Sequence, residues 1–425
     1  MKEPLIRKKI GAGVSFSAIT DNRYKLNKIS VLFMCRLTER TAAVNALVPS
    51  LLSFCCNRFN TMAALNKKLA GMYSASLGCF ARKAGDIQYV GLNIAAIDSR
   101  YAIDGEDIAT EAAELLRDCL FDPYLPEGIF PEKNVELEKQ NQIDDNNADI
   151  NNKSVYAYRK ACAAAYKGEP AAINSLGENR DIEKITPKAS LEAYRSMLEN
   201  MNVEIICAGC GDFAYAEKIF SEAFGKIKRA GEQDLFSQPS KPRTEVQRIT
   251  ETLDVEQCKL VMVFKHDFKN QPALMVMSML YGGTESSKLF TVIREKMSLC
   301  YYCCSRTDEF KRAMTVECGI DIANLEKTES GCLKLLEDIA KGDFTEEEIT
   351  NTKLYILNLL RAVYDNINSV SSWYLTGILK KEIISPEEMA ERINAVTREE
   401  IAAAAASMKL DTVYVLAPEA KGEEE

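Results

Sequence analysis

Alternating and helical spacing of apolar residues succeed one another along the chain. In KISVLFMCRL (28–37), Ile29, Val31, Phe33, Cys35 and Leu37 occupy alternate positions, which predicts a strand with one apolar face. TAAVNALVPSLLSFCCNRF and MAALNKKLAGMY carry helical spacing, and DIQYVGLNIAAI returns to strand character. DGEDIATEAAELLRDCLF predicts a helix with acids in its first turn, where they suit the helix dipole. A longer helical region covers roughly 131–166, and EAYRSMLENMNVEIICAGCGD is a helix running into a strand closed by glycines.

Residues 226–250 are polar, contain proline and lack periodicity, the marks of a linker. Beyond them the order of elements recurs. CKLVMVFKHDF is a strand, PALMVMSMLYGG a helix, AMTVECGIDIA a strand and SGCLKLLEDIAKG a helix. The next helix opens with a capping box, Thr345 with Glu348, and is expected to turn Ile349, Leu354, Leu357 and Leu360 toward one side. The ends of the two halves correspond: 182–209 and 393–418 each have a threonine opening a helix, a methionine near its end, a polar break and a buried strand. An offset of about 210–230 residues fits a duplicated domain rather than a solenoid repeat. The pattern therefore predicts two similar α+β halves, 1–225 and 251–425, joined by the 226–250 linker.

Composition narrows the function classes. A chain of 425 residues with 47% hydrophobic content can build more than one core, and 27% charged residues, well mixed, argue against global disorder. The net charge of −9 argues against sequence-independent nucleic-acid binding. The N-terminus has no apolar signal core, and no apolar run has membrane-spanning length, so a soluble, cytoplasmic protein is expected. The fourteen cysteines are scattered, often inside apolar runs, and read as thiols of a reducing compartment. Cys207–Cys210 and Cys300–Cys303 are CxxC pairs about ninety positions apart, whereas compact zinc modules space their pairs much more closely. His266 is the only histidine, expected as a strand-end surface residue, and one histidine builds no two-histidine metal site. YGGTESS lacks the GK[ST] of a nucleotide loop, and the paired carboxylates lie at helix starts. No metal ligand, catalytic residue or cofactor is assigned.

One segment keeps two readings open. SSKLFTVIREKMSLCYY (286–302) can be an amphipathic helix with Leu289, Val292, Ile293 and Met297 inward and Arg294, Glu295 and Lys296 solvated, followed by a half-buried strand. An arginine can also fork onto peptide carbonyls or a carboxylate, and a tyrosine can donate to an oxygen gaining charge.

The block YGGTESSKLFTVIREKMSLCYY resembles the second-half signature of the pitrilysin/insulinase/mitochondrial-processing-peptidase family, with its GG, SS-x-LF, R-E-K and Leu-x-Tyr in order. The resemblance extends more diffusely over nearly the whole chain. It implies two similar halves, each an antiparallel sheet packed with helices, forming a clamp with a central cavity. Active members carry an H-x-x-E-H helix and a downstream glutamate that hold zinc. The corresponding slot here falls near Ala46–Leu47–Val48–Pro49–Ser50, and downstream Glu138 is available, a lone carboxylate that holds zinc poorly. The resemblance thus implies a chain that is inactive alone, the non-catalytic subunit of a heterodimer with an H-x-x-E-H partner. Arg294 and Tyr301 match the substrate-binding pair that such subunits present to peptide, with Tyr302 as a substitute. In isolation the chain could pair with a copy of itself. The alternative is a scaffold or assembly protein using the same clamp for protein binding; some bacterial relatives are associated with modification of elongation factor P.

Overall fold

The alternating segments fold into eleven strands in a computed structural model that describes residues 5–419. The first sheet contains β1 (Ile6–Gly11), β2 (Val14–Thr20), β3 (Leu26–Arg36), β4 (Ser76–Ala84), β5 (Ile87–Ile97) and β6 (Asn202–Gly209), in the order β1-β2-β6-β3-β5-β4. The second contains β7 (Gln247–Leu253), β8 (Cys258–Lys265), β9 (Cys300–Asp308), β10 (Ala313–Ile320) and β11 (Lys409–Pro418), in the order β7-β11-β8-β10-β9.

Without β1, the two sheets share one wiring. The last strand of each half lies between its first and second strands, followed by the fourth and the third. Most neighbours are antiparallel, as expected, but β2 with β6 and β7 with β11 run parallel. The sheets are therefore mixed. A last strand inserted between two that run in opposite directions must be parallel to one of them, and the helical excursion before it makes the crossover.

The first three α-helices are α1 (Glu39–Phe54), α2 (Met62–Gly71) and α3 (Ile108–Phe121). The region near 131–166 is two helices, α4 (Glu132–Ala148) and α5 (Lys153–Ala165), and the Asn152 side chain caps α5 by accepting the Val155 N–H. Two compact units result, and they are not consecutive blocks. One gathers residues 1–146, 173–236 and 364–383; the other gathers 147–172, 237–363 and 384–425. Helix α5, from the first half of the sequence, therefore belongs to the second sheet, where it packs on β8 and β11. The helix Ile367–Lys380, from the second half, packs on β6 of the first sheet.

The sequence explains the seating of α5. Ala157, Ala161 and Ala165 recur every four residues and are buried against Val261, Val263, Tyr414 and Leu416. This stripe of small side chains lets the helix backbone approach the strands. Its C-terminus is held by charge: the Lys265 ammonium donates to the Ala165 carbonyl (2.7 Å) and pairs with Asp411 (3.2 Å), and both groups are essentially inaccessible. Arg243 adds a 2.6 Å contact to Asp411 and donates to the Ala164 carbonyl. Just beyond the helix, Glu169 pairs with the buried Lys311 (2.7 Å).

On the first sheet, Val370 and Tyr374 bury the inner face of Ile367–Lys380, and the Tyr24 hydroxyl donates to the Tyr364 carbonyl (2.7 Å). Residues 229–243 form no secondary structure, β7 begins at Gln247 inside the expected linker, and the segment is docked. Arg229 donates to the carbonyls of Ala12, Leu198 and Met201, and Ser240 is buried against Glu169. The capping box at Thr345 and Glu348 forms as expected. Its helix, Glu346–Ala362, buries Ile349, Thr352, Ile356 and Leu360, while Leu354 is 53% exposed. The inward stripe takes Thr352 and Ile356 in place of Leu354 and Leu357, because spacings of three and four residues, not five, stay on one helical face.

Candidate functional site

The segment that follows YGGTESS is a helix wider than an α-helix. Leu289–Lys296 is a π-helix, a form rare in general and frequent at functional sites. Leu289 and Ile293 are fully buried and fix it, and the Met297 N–H closes it onto the Val292 carbonyl (2.9 Å). Met297, expected inward, is 47% exposed, because the helix ends before it. Ser298 then takes a left-handed φ of 52° and turns the chain into β9.

Arg294 projects from this helix into solvent, its guanidinium carbon 4.5 Å from the centre of the Phe290 ring. Stacking on the aromatic face orients the planar fork while leaving its N–H groups available at the rim. Among the described residues it has no carboxylate partner. Tyr301 is the second residue of β9 and 54% exposed; its hydroxyl donates to Asp321 at a long 3.4 Å. Among the described residues, strand β9 is an edge of the second sheet and pairs only with β10. The helix that carries Arg294 packs against β9 and ends just before it, so the arginine and the tyrosine lie toward the same end of the edge strand.

Tyr302 is placed differently. Its ring covers Gly319, where a Cβ would come 2.4 Å from Cε1, so only glycine admits the tyrosine there. Its hydroxyl is 3.0 Å from Ser154 Oγ at the start of α5, the Lys259 ammonium lies 5.4 Å from its ring, and desolvation pushes its pKa up to about 12. The Tyr302 hydroxyl is already engaged in fastening α5. Ser154 and Lys259 also line an open pocket with Asn152, Lys153, Asp254 and Glu256, of mixed charge.

In the first unit, the Ala46–Ser50 slot lies on α1. Ala46, Leu47, Val48 and Pro49 are buried, and the Ser50 hydroxyl donates to the Leu47 carbonyl (2.8 Å). Carboxamides staple the start of this helix. Gln88 donates to the Ala42 carbonyl (3.0 Å) and accepts from Asn45 (3.1 Å), and Gln142 of α4 donates to the Ala43 carbonyl (3.1 Å). Glu138, also on α4, is half-buried and within electrostatic reach of the Cys79 thiol. Amides do not ionise, and these three hold the start of the helix in place.

His266 is 3% exposed, not the surface residue expected. Its N–H donates to the Arg312 carbonyl (3.0 Å), which tucks it beneath the turn between β9 and β10. Burial, and the Arg312 charge beside it, push its pKa down to about 4. The neutral ring is then favoured by folding: stability is fully present above the usual value near 6.5 and is lost as pH falls through about 4. As the only histidine, it should give one imidazole NMR resonance with a midpoint near pH 4 in the folded state. His266→Phe should flatten the loss of stability between those values; a midpoint near 6.5 would contradict the buried placement.

The two CxxC pairs belong to different units, Cys207 and Cys210 to the first and Cys300 and Cys303 to the second. Instead Cys303 meets Cys318 and Cys332, with the three sulfurs all within 4.8 Å of one another. The intervals in sequence, fifteen and fourteen residues across three elements, match no metal-binding spacing and gave no signal.

A family model described as "Peptidase M16 inactive domain" matches residues 184–355. The chain is 25% identical over 408 residues to the "Probable inactive metalloprotease YmfF" of Bacillus subtilis (strain 168), spanning 95% of this chain and 96% of that protein. Among solved structures, a conserved protein from Enterococcus faecalis V583 superposes with a TM-score of 0.90 and 27% identity, covering 99% of this chain and 100% of that one. A peptidase M16 inactive domain from Pseudomonas fluorescens gives a TM-score of 0.80 at 16% identity, with 98% of each chain covered.

Proposed function

Because the chain belongs to the M16 peptidase family and is of its inactive type, we propose that it is the non-catalytic subunit of a zinc-metallopeptidase-like heterodimer. It holds peptide substrate for a partner that carries H-x-x-E-H. The observation that carries this reading is Arg294, an oriented guanidinium with no carboxylate partner among the described residues, at the end of a sheet edge that is itself unpaired. An extended peptide laid along β9 would meet main-chain groups able to add it as a further strand. The Arg294 fork would take a carbonyl or carboxylate of that peptide, and the Tyr301 hydroxyl would donate beside it.

The division of labour follows from the chemistry available. The apolar α1 slot has nothing with which to activate water, so bond cleavage falls to the partner, and this chain contributes orientation. Fourteen cysteines, none in a disulfide, suit the reducing cytoplasm, where we place the pair.

The test is co-expression with the product of a neighbouring gene that bears H-x-x-E-H. The two chains should co-purify in equal amounts and cleave an unstructured reporter peptide, while neither does so alone. A partner equally active without this chain would end the subunit reading.

A further inference from the structure

Cys303 on β9 and Cys318 on β10 are directly opposed across the strand pair, with sulfurs 2.8 Å apart. Cys332, on the helix Leu325–Ala340, brings its sulfur to 4.0 Å from that of Cys303. All three are buried, and among the described residues they form the one group of three or more such side chains close enough to share an ion. Buried thiols such as Cys207 and Cys258 are ordinary small apolar residues. Here three separate elements bring sulfur together, all within 4.8 Å of one another, close enough for one ion to meet each at a zinc–sulfur bond length of about 2.3 Å. A fourth thiol, Cys300, opens the same strand, where the irregularity between Gly319 and Ile320 sets it opposite Ile320; its sulfur lies outside the group of three and would have to turn toward it. Cys300 is only half-buried, on the solvent side of the cluster.

We propose that Cys303, Cys318 and Cys332 bind one thiophilic divalent cation, zinc by preference, with Cys300 as the fourth ligand. Four S–H bonds break as four metal–sulfur bonds form, the protons pass to solvent, and no electron is transferred. The site then carries two negative charges. With all four positions held by thiolates there is none for water, so the metal is structural and supplies no hydrolytic chemistry. It ties β9, β10 and the Leu325–Ala340 helix into one block at the base of Arg294 and Tyr301. The inference is independent of the heterodimer reading, because it concerns ion content rather than activity.

The full chain, purified without oxygen from zinc-supplemented cells, should contain about one zinc per chain by elemental analysis. Unfolded and refolded with Co(II), it should show the thiolate charge-transfer and ligand-field bands of a tetrahedral sulfur site. Because the sites are buried, metal is offered during refolding rather than to the folded protein. Cys318→Ala should lose both signals, and Cys207→Ala, at a buried thiol in the other unit, should keep them. Wild-type protein with neither stoichiometric zinc nor cobalt bands would overturn the proposal. So would a Cys303–Cys318 disulfide in the anaerobically purified protein, seen as the loss of two hydrogens in its mass.

Discussion

Arg294→Ala is expected to cut the peptidase activity of the co-assembled pair by about 100-fold, the scale seen when one preorganised donor is removed from a reacting centre. The loss should fall on kcat/KM, with co-purification unchanged, because the guanidinium is exposed and makes no ion pair within the described residues. Arg294→Lys should recover little, since an ammonium has neither the planar fork nor the same stacking on Phe290. Tyr301→Phe removes one hydroxyl and should cost less, while Tyr302→Phe should act on stability through its Ser154 contact. An Arg294→Ala pair as active as wild type would remove the substrate-holding role and favour a scaffold.

The second large effect concerns folding. Asp411→Ala should destabilise the protein by about 3–5 kcal/mol, the usual cost of removing one partner of a buried ion pair. The substitution leaves the Lys265 ammonium, 2% exposed, with carbonyl oxygens but no carboxylate, and takes from Arg243 its 2.6 Å contact. Burial already holds the Lys265 pKa below the ordinary lysine value, and Asp411 is what opposes that shift. Losing it moves the lysine toward its neutral form. A urea midpoint measured for Asp411→Ala, and for the double variant Asp411→Leu/Lys265→Met, separates the pair from its surroundings. The double variant should regain most of the loss, because an apolar pair of similar volume avoids desolvating charge. A loss below about 1 kcal/mol in the single variant would mean that the pair is solvated.

Strand positions were legible because alternation reports a face directly: KISVLFMCRL becomes β3, and DIQYVGLNIAAI becomes β5. The matching ends of the halves were legible too. Thr186 and Thr397 cap helices that lead into β6 and β11, equivalent strands of the two sheets. The parallel pairs were not, since strand direction depends on where a strand inserts rather than on its own residues. The alanine stripe of α5 was present in the sequence, but a stripe of small residues says that something packs closely, not which sheet does. At the candidate site, Arg294 and Tyr301 were legible only through a family motif. Tyr301 and Tyr302 could not be told apart before Gly319 was seen beneath one ring. His266 follows KLVMVF at a strand end, where local sequence suggests exposure; the turn that buries it comes from 46 residues further on.

The exchange of helices has a consequence for how this chain can be inherited. A protein made by doubling a domain can ordinarily be halved again, by a stop codon or by recombination at the linker. Here residues 1–225 would lack Ile367–Lys380, and β6 would lose the helix that carries Val370 and Tyr374. Residues 251–425 would lack α5, and with it the alanine face on β8 and β11 and the carbonyl that receives Lys265. Each half of the sequence holds a helix that packs on the other half's sheet, so neither half carries a complete unit by itself.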